Sequence, residues 1–94
     1  MLIKWVSPAE QDLSSLVDWH ESHAPEYLTE VAEQIWEAAQ SLSRFPERGR
    51  IGQVDGTREL LIPKLPYMLV YTINEEMIVI LRLLHQHQNW PESL

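Results

Sequence analysis

From Leu2 to Val6 the chain carries a short run of apolar and β-prone residues, the pattern of a strand. The period then changes. Ala9, Leu13, Leu16, Val17 and His20 recur at three- and four-residue intervals, with Glu10, Gln11, Asp12, Ser14, Ser15 and Asp18 between them. That spacing gathers the apolar residues on one face of a helix. Ser7, Pro8 and Glu10 mark its start: a capping hydroxyl, a proline at the first helical position, and a carboxylate three residues past the cap. The pattern predicts an end near His23.

Pro25 opens a second helix. Its stripe is Leu28, Val31, Ala32, Ile35, Ala39 and Leu42, with Trp36 and Ala38 at the margins and Glu26, Glu30, Glu33 and Glu37 turned away. Phe45-Pro46 ends it, because proline disfavours helix at the residue before it. Two helices joined so closely predict an antiparallel hairpin.

Residues 46–57 show no sustained period, hold Gly49, Gly52 and Gly56, and include the turn signal Asp55-Gly56. They read as a loop. Three strands follow, Arg58–Ile62, Tyr67–Ile73 and Met77–Leu84. Pro63 and Pro66 make the first link irregular, and Asn74-Glu75-Glu76 closes a hairpin. Met77–Leu84 is almost continuously apolar, as an interior strand is, with Arg82 the exception.

The order is β–α–α–β–β–β, an α+β domain spanning residues 1–94. A helical hairpin should pack on one face of a small, mostly antiparallel sheet. Leu13, Leu16, Val17, Leu28, Val31, Ile35 and Leu42 are the expected core. The second sheet face should be only partly covered by the chain, and a partner belongs there.

Composition narrows the chemistry. There is no cysteine, which excludes disulfides, thiolate zinc sites and a cysteine nucleophile, and fits the cytoplasm. The N-terminus lacks the length and flanks of a signal peptide, and Arg82 breaks the longest apolar run, so no membrane association is expected. A net charge of −7 opposes non-specific nucleic-acid binding, although Arg44, Arg48, Arg50 and Arg58 cluster locally.

His85 and His87 stand at i, i+2 and share one side of an extended chain. A metal site needs three or four ligands, and nothing in the spacing brings His20 and His23 to them. No metal or cofactor is expected. Arg82 is either a structural salt bridge, with Glu59 a candidate partner, or a cation presented to phosphate or carboxylate. Trp90, beside Pro91 in a polar tail, is a candidate anchor for a partner. The serines form no nucleophile constellation, and the glycines form no phosphate-cradling loop.

Four segments together resemble the RelE/ParE superfamily of toxins. They are Ser7 to Leu13, Leu42 to Arg50, Thr57-Arg58-Glu59-Leu60, and Pro66 to Tyr71 leading to Ile78–His85 with Trp90-Pro91. The resemblance implies the toxin half of a toxin–antitoxin pair. Its RelE branch looks like ribosome-dependent mRNA nucleases with cations on the open sheet face. The corresponding positions here are Glu59, Leu61, Met68 and His87, and none is Lys or Arg. Another nuclease branch uses a histidine near His85, but its accompanying arginine is Met68 here. The ParE branch is similar in Arg58-Glu59-Leu60, Pro66-Tyr67 and His85. It implies a non-enzymatic poison of DNA gyrase, neutralised by a cognate antitoxin through which alone operator DNA is met.

On that reading Arg58, Tyr67, Arg82, His85 and Trp90 contact antitoxin or target, with Trp90 and Arg82 the expected anchors on the second sheet face. Should the nuclease alternative hold, His85, His87, Arg82 and Arg58 are the catalytic candidates. A third alternative is an inactive relic that still pairs with its antitoxin as a co-repressor.

Overall fold

The computed structural model describes residues 1–87. Strand β1 (Leu2–Trp5) leads into α1 (Ser7–His23), a 3₁₀ turn (Pro25–Tyr27) and α2 (Leu28–Arg44). Then come β2 (Arg50–Ile51), β3 (Arg58–Leu61), β4 (Tyr67–Asn74) and β5 (Met77–His85). The strands form one sheet in the order β1-β5-β4-β3-β2, with β1 parallel to β5 and every other pair antiparallel. Among the described residues no helix is long and apolar enough to cross a membrane.

The predicted elements stand, with two differences. Val6, not Ser7, occupies the cap position of α1, and the expected side-chain cap bond is not made; Glu10 N donates instead to Val6 O. The segment 46–57 is not wholly loop, because Arg50–Ile51 adds a short edge strand held by Arg50 pairing with Glu59. The predicted turn at Asp55-Gly56 is present, with Gly56 at φ +81 and Thr57 N bonding Val54 O.

The core fills the space between the helices and one sheet face. Ala9, Leu16, Val31, Ile35, Ala39 and Leu42 from the helices meet Leu60, Leu69, Tyr71, Ile78, Ile80 and Leu83 from the strands. Of the seven residues expected there, Leu16, Val31, Ile35 and Leu42 are buried, and Leu13, Val17 and Leu28 are half-buried. Alternation along β5 is interrupted by a bulge. Val70 pairs with Arg82 and Tyr71 with Ile80, which leaves Leu81 as the extra residue. The bulge turns both Ile80 and Leu83, three residues apart, toward the helices.

The second face is not open at its centre: Met68, Val70 and Leu84 form a separate cluster exposed by 2% or less. The partial cover expected for this face therefore includes its centre.

The β4–β5 hairpin closes through Glu75 and Glu76, with Asn74 facing Met77 and Glu75 at φ 56. A side chain in this left-handed region is strained by Cβ contact. Glu75→Gly should raise stability by about 0.5–1 kcal/mol, net of the glycine's greater unfolded freedom. Urea melts check this; a less stable variant would show that Glu75 is not strained.

Candidate functional site

Parallel pairing of β1 with β5 ends at Trp5↔Ile80, after which the chain leaves the sheet to begin α1. Beyond that point β5 has no strand on its β1 side. Asp12 fills the role from α1 by accepting from the backbone of Leu83, with Leu83 N 3.0 Å from Asp12 Oδ2. The same carboxylate takes a two-pronged contact from Arg82, Nε to Oδ2 at 2.6 Å and Nη2 to Oδ1 at 2.9 Å. Both side chains are mostly shielded, at 19% and 17% exposure. The hydrogen bond to Asp12 raises the pKa of Arg82 still further, so this guanidinium stays charged.

Arg82 is therefore a clasp between α1 and β5, and its partner is Asp12, not Glu59. Glu59 lies on β3, with β4 between it and β5. It is buried and accepts from Arg50 Nε (3.0 Å) and Gln53 N (3.1 Å). Arg82, expected as an anchor for a partner or a phosphate, has its fork already filled by a carboxylate.

Past the clasp, β4 and β5 place Tyr67 opposite His85, their rings edge to face with centroids 5.7 Å apart. Asp12, Ser15, Leu16, Tyr67, Leu83 and His85 line a recess of about 250 Å³ there. His87 N donates to His85 Nδ1 at 3.2 Å, so a neutral His85 carries its proton on Nε2. The His87 ring is exposed, 5.6 Å from that of His85. Tyr67, His85 and His87 thus gather at one end of the sheet, while Arg82 is held by the Asp12 that borders the same recess.

Arg58 does not join them. It pairs with Tyr71, four β4 residues from Tyr67, roughly 13 Å along the strand. Its Nη1 donates to Gly49 O at 2.8 Å and Glu47 O at 3.3 Å. Arg48 donates to Ser41 Oγ and Arg50 pairs with Glu59, so three of the four clustered arginines hold the segment after α2 in place. Of the positions where a nuclease of this kind would carry cations, Glu59 is ion-paired, Leu61 is exposed and Met68 is buried. Trp90 and Pro91 lie outside the described residues.

The remaining histidines serve α1. His20 Nδ1 donates to Leu16 O and His23 Nδ1 to Trp19 O, each at 2.9 Å, and Trp19 stacks on His23. Among the described residues no three His, Asp or Glu are grouped to hold a metal.

Asp12 was the residue that sequence reasoning passed over, although a signal existed. It stands three residues after Ala9 and four before Leu16, so it falls on the apolar stripe of α1. Two charges that each break an apolar pattern, Asp12 and Arg82, are natural partners.

A helical hairpin on a mixed sheet, with β1 parallel to the last strand and a tyrosine–histidine pair at its end, defines the class as a RelE/ParE-type toxin fold. The chain belongs to the ParE toxin family of type II toxin–antitoxin (parDE) systems, whose model matches residues 3–90. It is 33% identical to Y4kP of Sinorhizobium fredii, assigned as a toxin, over 98% of this chain and 95% of that one. It is 28% identical to toxin RelE2 of Caulobacter vibrioides, over 88% of this chain and 92% of the relative. Among solved structures, the chromosomal ParDE system of P. aeruginosa is similar at TM-score 0.80 and 26% identity, covering 90% of this chain and 95% of that one. The toxin–antitoxin complex RelBE2 of Mycobacterium tuberculosis gives TM-score 0.57 at 28% identity, covering 89% and 95%.

Proposed function

We propose that this toxin arrests growth in the cytoplasm without cutting RNA, by inhibiting DNA gyrase in the ParE manner, and that a cognate antitoxin neutralises it. One observation carries the rejection of nuclease chemistry. Arg82, the strand arginine nearest His85, is held in a two-pronged pair by Asp12. Stabilising a phosphoryl transition state needs fixed cations aimed at the developing charge, and losing one such contact typically costs ~10²–10³ in rate. Glu59, Leu61 and Met68 supply none. The higher TM-score to a ParDE structure than to a RelBE2 complex, 0.80 against 0.57, supports the ParE branch. Tyr67 and His85 remain the residues proposed to contact the target.

Induced expression should stop growth, and co-expression of the small protein encoded beside the toxin should restore it. Purified toxin should inhibit gyrase supercoiling and leave mRNA on programmed ribosomes intact by primer extension. Codon-phased cleavage lost in His85→Ala would overturn the reading. Growth unaffected by expression, with neither activity, would mark an inactive relic.

A further inference from the structure

The cations of this acidic chain gather in one segment. Residues 44–58 hold Arg44, Arg48, Arg50 and Arg58 against Glu47 and Asp55, while the rest of the chain holds three cations and twelve carboxylates. Arg58 is committed to backbone carbonyls and Arg50 to Glu59. Arg44 and Arg48 are both exposed, and with Phe45, Pro46 and Glu47 they line an open hollow of about 620 Å³ at the C-terminal end of α2. Among the described residues Arg44 has no hydrogen bond or ion pair. Arg48 gives Nη1 to Ser41 Oγ at 2.7 Å, which fixes the guanidinium and leaves its other N–H donors unused. Phe45 is 62% exposed. The turn that carries these side chains is braced from below. Arg48 N donates to Phe45 O at 3.0 Å, and the buried Tyr71 hydroxyl bonds Pro46 O before the arginine and Gly49 N after it.

A cation in the last turn of a helix offsets the helix dipole, which accounts for Arg44 alone. It does not account for a phenyl ring held in water beside two guanidiniums on a braced turn. Arginine forks match the oxygens of phosphate, and an exposed ring offers a face on which a base can stack. An acidic peptide would satisfy the arginines but give Phe45 no base to stack on; nucleic acid satisfies both. We infer that the Arg44–Arg48 turn binds the sugar-phosphate backbone of nucleic acid. This rests on the gyrase reading above, under which the ligand is the DNA that gyrase holds. The carboxylates of α1 and α2 are repelled by the same polymer, so the protein meets it with this turn leading. The net charge of −7 keeps the free encounter weak, and a target that already carries DNA removes that difficulty. Glu47 lines the same hollow and opposes any anion there, which gives the inference a sign to check.

The test is fluorescence anisotropy of labelled oligonucleotides, one duplex DNA and one single strand, titrated with purified toxin at several salt concentrations. Two phosphate contacts predict that log affinity falls against log salt with a slope of about −1.8 for the duplex and about −1.4 for the single strand. Arg44→Ala should weaken binding by about threefold or more at low salt and flatten the duplex slope by about 0.9. Phe45→Ala should weaken the single strand by about fivefold and the duplex little. Glu47→Gln should tighten both by about twofold, because a like charge leaves the hollow. Lys64→Gln removes the same charge as Arg44→Ala from the link between β3 and β4, and should change affinity less than twofold. All four side chains are exposed, and circular dichroism checks that the variants fold. Wild-type binding in both Arg44→Ala and Phe45→Ala, or equal affinity for polyglutamate, overturns the site. In the supercoiling assay Arg44→Ala with Phe45→Ala should need about tenfold more toxin for equal inhibition. Inhibition unchanged in that double variant excludes gyrase-held DNA as the ligand. Toxin that binds the oligonucleotides through this turn but spares gyrase overturns the gyrase reading and leaves the site standing.

Discussion

Replacing Tyr71 with phenylalanine should destabilise the protein by about 2–3 kcal/mol, although only one oxygen is lost. Tyr71 is fully buried in the centre of the sheet, and its hydroxyl reaches the segment after α2. There it donates to Pro46 O at 2.7 Å and accepts from Gly49 N at 2.9 Å. Removing the oxygen strands a carbonyl and an amide together, and each buried orphan costs about 1–3 kcal/mol. For a domain of this size the melting temperature should fall on the order of 10 °C or more. A loss under about 0.5 kcal/mol would mean that water or a shifted loop replaces both bonds.

Gly49 belongs to the same contact. A Cβ there would sit 2.8 Å from both Cε1 and the hydroxyl of Tyr71, and 3.0 Å from Glu59 O, so Gly49→Ala should displace the ring. The double variant should cost less than the two single ones added, because both act on one contact. Burial raises the pKa of Tyr71, partly opposed by the Gly49 hydrogen bond and by Arg58. The sign follows from that. Above the ordinary phenol value of 10.0 the unfolded chain ionises first, so stability falls as pH rises toward the folded value. Tyr71→Phe should abolish that part of the alkaline slope, which chemical melts at pH 9 and 11 will read.

Asp12→Ala should cost about 2–3 kcal/mol, more than Arg82→Ala, and the inequality is the informative part. The carboxylate receives three bonds, two from Arg82 and one from Leu83 N. Without it a mostly shielded guanidinium and a strand amide both lose their partner. Without Arg82 the carboxylate still holds Leu83 N, so about 1–2 kcal/mol is expected. A double-mutant cycle isolates the pair, and a coupling near zero would reduce the clasp to an ordinary surface ion pair. The reverse order of the single variants would show that Asp12 does not support the strand edge. Because Asp12 also lines the recess beside His85, either variant should disturb the ring geometry there.

The helices, the strand order along the chain and the loop were legible because their signals are local. Helical and strand periods repeat within a few residues, and Pro46, Pro63 and Pro66 act on their immediate neighbours. Most of the core was legible for the same reason: Leu16, Val31, Ile35 and Leu42 lie on stripes that one helix defines alone. The candidate site was legible only in part. Tyr67 and His85 were named by their motifs, but that they face each other is a matter of register between two strands.

What the sequence by itself determined was therefore which segments are helix or strand, which face of each is apolar, and which charges break those patterns. Tertiary structure decided where the breaks are resolved. Arg82 found Asp12 seventy residues away because β1 stops short along β5 and α1 crosses the vacated edge. Arg58 bonded a carbonyl pair and Arg50 paired with Glu59, so the arginine cluster became a brace. Trp36 stayed in water because α1 and α2 part around it. A charge or an aromatic ring off its pattern states a need for a partner, and only the packing of distant segments says whether the chain itself supplies one.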